Sequence, residues 1–174
     1  MRVLLAFLPL ALLTLLVAQF NHIVAPWHVY FFSGGLSVIF AALRLDFASG
    51  FVAVFLSGLL ADAGEPLLHL GDHSFFGVHA FLYAAALVLI FSVRGRLPHE
   101  ETLVSVMFAL FANLGIFAVF SLLFTAGQPE PFSVWTRLLV DLVCSQVLIA
   151  VIAPWFFALQ ARVFSLGGFE LRGR

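Results

Sequence analysis

Two carboxylates sit within or at the end of apolar runs, and they are the residues here best placed to do chemistry. Asp141 lies about two helical turns into the run that opens at Ser133, with Arg137 four residues before it and Ser145 four residues after it. That spacing puts all three on one helical face. An ionisable group at such depth is costly and faces a protein interior or a wet cavity. Two readings follow. Either Asp141 and Arg137 neutralise each other as an i,i+4 pair near the outer interface, or Asp141 and Ser145 fix a buried polar contact with another helix or a partner. Asn113 and Gln146 are deeper still, and as isolated amides they read as interhelical hydrogen-bonders.

Asp62 ends another apolar run, and Glu65, His69, Asp72, His73 and His79 follow it. His69 and His73 at i,i+4 would share a metal ion if helical. However, no H-E-x-x-H is present, and Leu67, Leu68 and Leu70 read as a short amphipathic stretch on the outer surface. No metal and no other cofactor is therefore expected. G-x-S-x-G and phosphate-loop motifs are absent, which points to a protein that is not an enzyme. The lone Cys144 excludes an internal disulfide or a cysteine-ligated cluster and reads as a small buried hydrophobe.

The elements that position these residues follow from composition. Of 174 residues, 63% are hydrophobic and 10% charged, with a mean hydropathy of +1.14. Soluble domains carry about 25% charged residues, so the expected solvent is lipid. Eight arginines, no lysine and a net charge of -1 offer no basic surface for nucleic acid. The apolar runs are continuous, not alternating, so helices are expected instead of a barrel. They predict one all-α transmembrane domain over 1–174, a bundle of six transmembrane helices at about 3–20, 27–43, 47–61, 75–93, 102–124 and 133–153. Pro154 is expected to bend or end the last span, leaving 154–164 as an interfacial extension. With six spans, every arginine except Arg137 falls on one side, which predicts that both termini are cytoplasmic. Arg2 and the first apolar run resemble a secretory signal, but the run is longer than an h-region and no A-x-A site follows, so it reads as a retained span.

Small residues mark the third span. Ser49, Ala53, Ser57 and Ala61 recur every four residues, beside the line Gly50, Val54, Gly58, Asp62. Such a face packs against another helix, either within the bundle or from a partner.

Gly50-Phe51-Val52, then Gly58-Leu59-Leu60-Ala61-Asp62, then Phe76-Gly77-Val78-His79-Ala80 opening the next helix resemble the rod shape-determining MreD family. That family shows a G-x-x-x-D helix end followed by a helix start with glycine and then histidine or arginine. Arg137-Leu138-Leu139-Val140-Asp141, followed by an apolar run and a proline, is similar to its last helix. The match covers about Gly50 to Tyr83, with weaker support from Arg137 to Pro154. This chain departs from the family in a longer loop over Ala63 to Phe75 and in Val29-Tyr30-Phe31 where a proline is common.

The resemblance implies a non-catalytic scaffold of the bacterial inner membrane. It implies an MreC-like partner and, through that partner, MreB-like filaments and the wall-synthesis enzymes that maintain rod shape. Carried over by residue, Gly58, Asp62, Gly77 and His79 would shape the turn between the third and fourth spans, and Asp141 would anchor the last helix. The alternative is the substrate-binding S-component of an energy-coupling-factor vitamin transporter, with Asp62, Arg137 and Asp141 facing an outer-half ligand. A membrane hydrolase using Ser37 or Ser145 is a third reading.

Overall fold

The computed structural model describes residues 2–64, 76–96, 102–125 and 131–168. The loop residues Glu65, His69, Asp72 and His73, the start of the fourth span at Phe75, and the terminal Arg172 and Arg174 lie outside the described residues. The described chain is all-α: α1 (Arg2–Val24), α2 (Gly34–Arg44), α3 (Phe47–Gly64), α4 (Val78–Val93), α5 (Thr102–Thr125) and α6 (Pro131–Leu166), with single 3-10 turns at Ala25–Trp27 and Arg94–Arg96. Four of these elements are long and apolar enough to cross a membrane: Arg2–Trp27, Phe47–Gly64, Thr102–Leu123 and Val134–Leu166. This is a membrane protein, and the leucines, valines and phenylalanines exposed along α1, α5 and α6 are the surface it offers to lipid.

The second predicted span needs correction. Helix was expected over 27–43, but α2 occupies only Gly34–Arg44, and residues 28–33 have no regular structure. Pro26 sits in the 3-10 turn, and His28 follows it at φ 56°, a left-handed conformation that turns the chain away from α1. Val29 to Phe32 are β-branched and aromatic residues, which suit extended backbone. α2 itself is buried on every side from Gly34 to Leu43, the pattern of a helix in the centre of a bundle. Gly34 and Gly35 let its first turn press into its neighbours. A Cβ on Gly34 would overlap the Tyr83 ring, and one on Gly35 would overlap the Ala109 carbonyl and stand 2.6 Å from the Asn113 nitrogen.

The last span also differs from expectation. The span over 133–153 and the extension over 154–164 form one helix that runs through Pro154. Proline removes the N–H that would bond to the Ala150 carbonyl, but Phe156, Gln160 and Phe164 recur every four residues and are all buried. Phe157 and Phe164 pack on Phe40 of α2, with ring centroids at 6.5 and 6.1 Å. Core contact on that face holds the helix together past its missing hydrogen bond.

Ion pairs and hydrogen bonds fix how the helices run. Arg2 lies 3.9 Å from Asp46, so α1 and α3 begin at the same end. Arg94, just after α4, donates to the carbonyls of Ala42 (3.1 Å) and Leu45 (2.9 Å) and lies 4.0 Å from the centre of the Phe91 ring, which brings the ends of α2 and α4 to that same end. Asp46 caps α3, its Oδ2 accepting the Ser49 N–H at 3.0 Å. That bond, helped by Arg2, holds the Asp46 carboxyl below its ordinary value.

Two outcomes are expected. Gly35→Ala lowers thermal stability by roughly 1–3 kcal/mol through overpacking, whereas Gly115→Ala, where nothing lies within 4 Å, leaves stability unchanged or raised; thermal unfolding in detergent compares the two. A depressed folded pKa means that the Asp46 cap is intact above the ordinary carboxylate range and is lost as pH falls through the lower folded value. Amide exchange at Ser49 should therefore quicken in acid, and in Asp46→Ala it should be fast at every pH once corrected for intrinsic rates.

Candidate functional site

Two buried polar clusters carry the unusual geometry of this bundle. The first joins α3 to α4. A helix start leaves N–H groups without intrahelical partners and attracts negative charge, and α4 meets that need with a carboxylate from another helix. Asp62, in the last turn of α3 and 5% exposed, accepts the N–H of His79 (3.0 Å) on Oδ1 and those of Gly77 (3.1 Å) and Ala80 (3.3 Å) on Oδ2. His79 adds its ring, with Nδ1 2.9 Å from Asp62 Oδ1. A carboxylate oxygen can only accept, so Nδ1 carries the proton. The approach depends on two glycines. Gly77 adopts φ 101°, which side-chain-bearing residues rarely take, and a Cβ on Gly58 would overlap the Ala80 backbone, its nitrogen at 2.7 Å. Around the imidazole lie the rings of Phe120 (4.8 Å), Phe32 (5.7 Å) and Tyr83 (5.8 Å), which keep this cluster out of lipid.

The second cluster supports the stretch without regular structure. Non-helical backbone inside an apolar bundle must find hydrogen bonds among its neighbours, and here the N–H groups of Tyr30, Phe31 and Phe32 find theirs on polar side chains of helices. The Tyr30 N–H donates to Asp141 Oδ1 at 2.8 Å. Phe31 donates to Asn21 Oδ1 (2.8 Å) and receives the Asn21 amide on its carbonyl (2.9 Å), so one side chain of α1 satisfies both backbone groups of a residue. The Phe32 N–H donates to Ser145 Oγ at 2.9 Å, and that hydroxyl donates in turn to the Asp141 carbonyl at 2.6 Å. At the start of α2 the Gly35 N–H donates to Asn113 Oδ1 of α5 at 3.1 Å. Asn21, Asn113, Asp141 and Ser145 are all at most 4% exposed.

These contacts decide between the readings left open above. Asp141 and Ser145 form a buried contact with another part of the chain. Arg137 is exposed and makes no direct ion pair with Asp141. The small-residue face of α3 is covered by the chain itself: a Cβ added to Gly50 would stand 3.2 Å from the Ala41 carbonyl of α2, Ser57 meets Thr14 of α1 at 3.2 Å, and Gly58 meets α4, with Ala53 fully buried between them. Asn113 and Gln146 bridge helices as expected, Gln146 donating to the Leu110 carbonyl at 3.1 Å. Asn21 escaped notice because it stood at a predicted break between spans. The resemblance assigns Asp62 and His79 to this turn, but their direct contact shows only in the fold, which brings residues 17 positions apart together.

A cleft of about 40 Å³ lies beside these clusters, where Thr14, Asn21, Tyr30, Ser33, His79 and Tyr83 contribute polar groups. It has room for a few water molecules. Among the described residues no group of three metal-ligating side chains converges. The chemistry this arrangement performs is the fixing of backbone: Asp62, Asp141, Ser145, Asn21 and Asn113 all accept main-chain N–H groups.

Asp62→Asn would turn an amide NH₂ toward N–H donors, so it should destabilise about as much as Asp62→Ala, by roughly 2–4 kcal/mol for several lost charge-assisted bonds. Ser57→Ala, which removes one hydroxyl contact, should cost about 1 kcal/mol. Thermal unfolding of the three variants checks the order, and an Asp62→Asn protein as stable as the parent would contradict the arrangement.

The chain matches no family model, no curated protein and no solved structure.

Proposed function

We propose that this chain crosses the bacterial cytoplasmic membrane six times with both termini inside, and serves as a non-catalytic scaffold resembling the MreD family. In that role it would bind an MreC-like protein in the membrane and, through it, help to assemble MreB-like filaments and wall-synthesis enzymes into the complex that elongates a rod-shaped cell. The observation that carries this reading is Asp62 gathering the first N–H groups of α4. The residues on which the resemblance rests, Gly58, Asp62, Gly77 and His79, all act at that one turn, and Asp141 anchors α6 to the rest of the bundle. Polar groups engaged in this way make a rigid body for others to bind.

Orientation is supported by the cations. Arg2 and Arg94 meet Asp46 and the end of α2 at one end of the bundle, the end that the positive-inside rule places in the cytoplasm. Residues 28–33, without regular structure, and α2 together make the second crossing. The vitamin-transporter alternative would need a site larger than this cleft, whose volume of about 40 Å³ is below the roughly 300–1,000 Å³ of small-molecule sites.

In a rod-shaped host lacking its own copy, the parent chain should restore rod shape and co-purify with the MreC-like partner. Asp62→Ala and Asp141→Ala should lose both at matched membrane levels. Normal shape and intact co-purification for the variants would sink the scaffold reading, and thermal stabilisation of the parent by one member of a vitamin panel would favour transport.

A further inference from the structure

Gln160 is the least satisfied residue in the described bundle. It is fully buried on α6, and neither its amide nitrogen nor its amide oxygen has a hydrogen-bond partner. Buried amides are almost always bonded, because an unmade bond forfeits the hydration the group has in water. Its face of α6 is otherwise aromatic: Phe156 precedes it by one turn and Phe164 follows it by one, both buried. Six residues before Gln160, Pro154 interrupts the hydrogen-bond ladder of α6, the commonest site at which a helix bends. Beyond that break, Phe157 and Phe164 pack on Phe40 of α2, and Phe156 and Phe164 are buried in the core. A weakened ladder, an aromatic contact and an unsatisfied polar group inside it therefore coincide in one stretch.

We infer that residues 155–166 of α6 form a hinged flap, closed over the end of α2 in this structure and able to swing about Pro154 to an open state in which water reaches Gln160. The unpaired amide opposes closure and the phenylalanine contacts favour it, so the two states lie close in free energy. Opening uncovers Phe40 and the end of α2 at the same end of the bundle as Arg2 and Arg94.

The test uses the full chain in lipid nanodiscs with Cys144→Ser, carrying nitroxide labels at the exposed positions Ser92→Cys and Arg162→Cys. Pulsed electron–electron resonance should show two distance populations in this parent. Gln160→Leu keeps the bulk and removes the amide, and it should leave one population and raise the apparent Tm by a few degrees. Pro154→Ala, which restores the missing N–H, should also leave one population. A single narrow distance in the parent that neither substitution alters would overturn the flap. So would a lowered Tm in Gln160→Leu, because it would mean that the amide stabilises the closed contact.

Discussion

The bundle depends on one requirement: the non-helical backbone of Tyr30, Phe31 and Phe32, set among the helices, must find its hydrogen bonds there. An unsatisfied peptide group in hydrocarbon costs several kcal/mol, and the N–H groups of Tyr30, Phe31 and Phe32 bond to side chains of other helices. Three helices answer with one or two side chains each. α1 contributes Asn21, α5 contributes Asn113 at the start of α2, and α6 contributes Asp141 and Ser145. These bonds set the height and rotation of α1, α5 and α6 around the central stretch, because each acceptor must meet a particular N–H. A shift of α6 by one residue would move both Asp141 and Ser145 off their donors.

The Asp62 cluster applies the same chemistry to a helix end. An α-helix that starts inside protein needs acceptors for its first N–H groups, and a carboxylate supplies two oxygens with charge of the sign that the helix dipole favours. Gly58 makes the approach possible by removing the side chain that would hold α3 and α4 apart. The small residues of α3 thus have an internal use. They bring Gly50 to α2, Ser57 to α1 and Gly58 to α4, so one helix touches three others at close range. This leaves the scaffold reading with a different surface for partners. Of the residues singled out as contact candidates, Arg137 is exposed and Gly77 half-buried, and the rest are interior. A partner in the membrane would meet the lipid-facing ridges of α1, α5 and α6 or the helix ends, including the stretch of α6 beyond Pro154.

Length and hydropathy alone established that the chain is an all-α membrane protein, because only hydrogen-bonded helices of long apolar runs satisfy both side chains and backbone in lipid. Four of the six segments were legible with errors of a few residues at their ends, and Asp141 and Ser145 stood out because polar groups are rare in such runs. Two things were not legible. A hydropathy run reads the same whether its backbone is coiled or extended, so Val29 to Phe32 looked like part of a helix. The path of the chain through Pro154 was hidden because a proline's effect depends on whether the next turns have a core to pack against.

Only tertiary structure decided what each polar residue does. Asn21 became a backbone partner because α1 lies beside Phe31, Asp141 met Tyr30 because the non-helical stretch offers a donor within the bundle, and His79 met Asp62 because α4 begins where α3 ends. The sequence by itself determined the solvent, the helical class and the residue types able to fill such roles. Which N–H each oxygen receives was settled by packing, since hydrogen bonds act over about 3 Å and their partners here lie 10 to 113 residues apart in the chain.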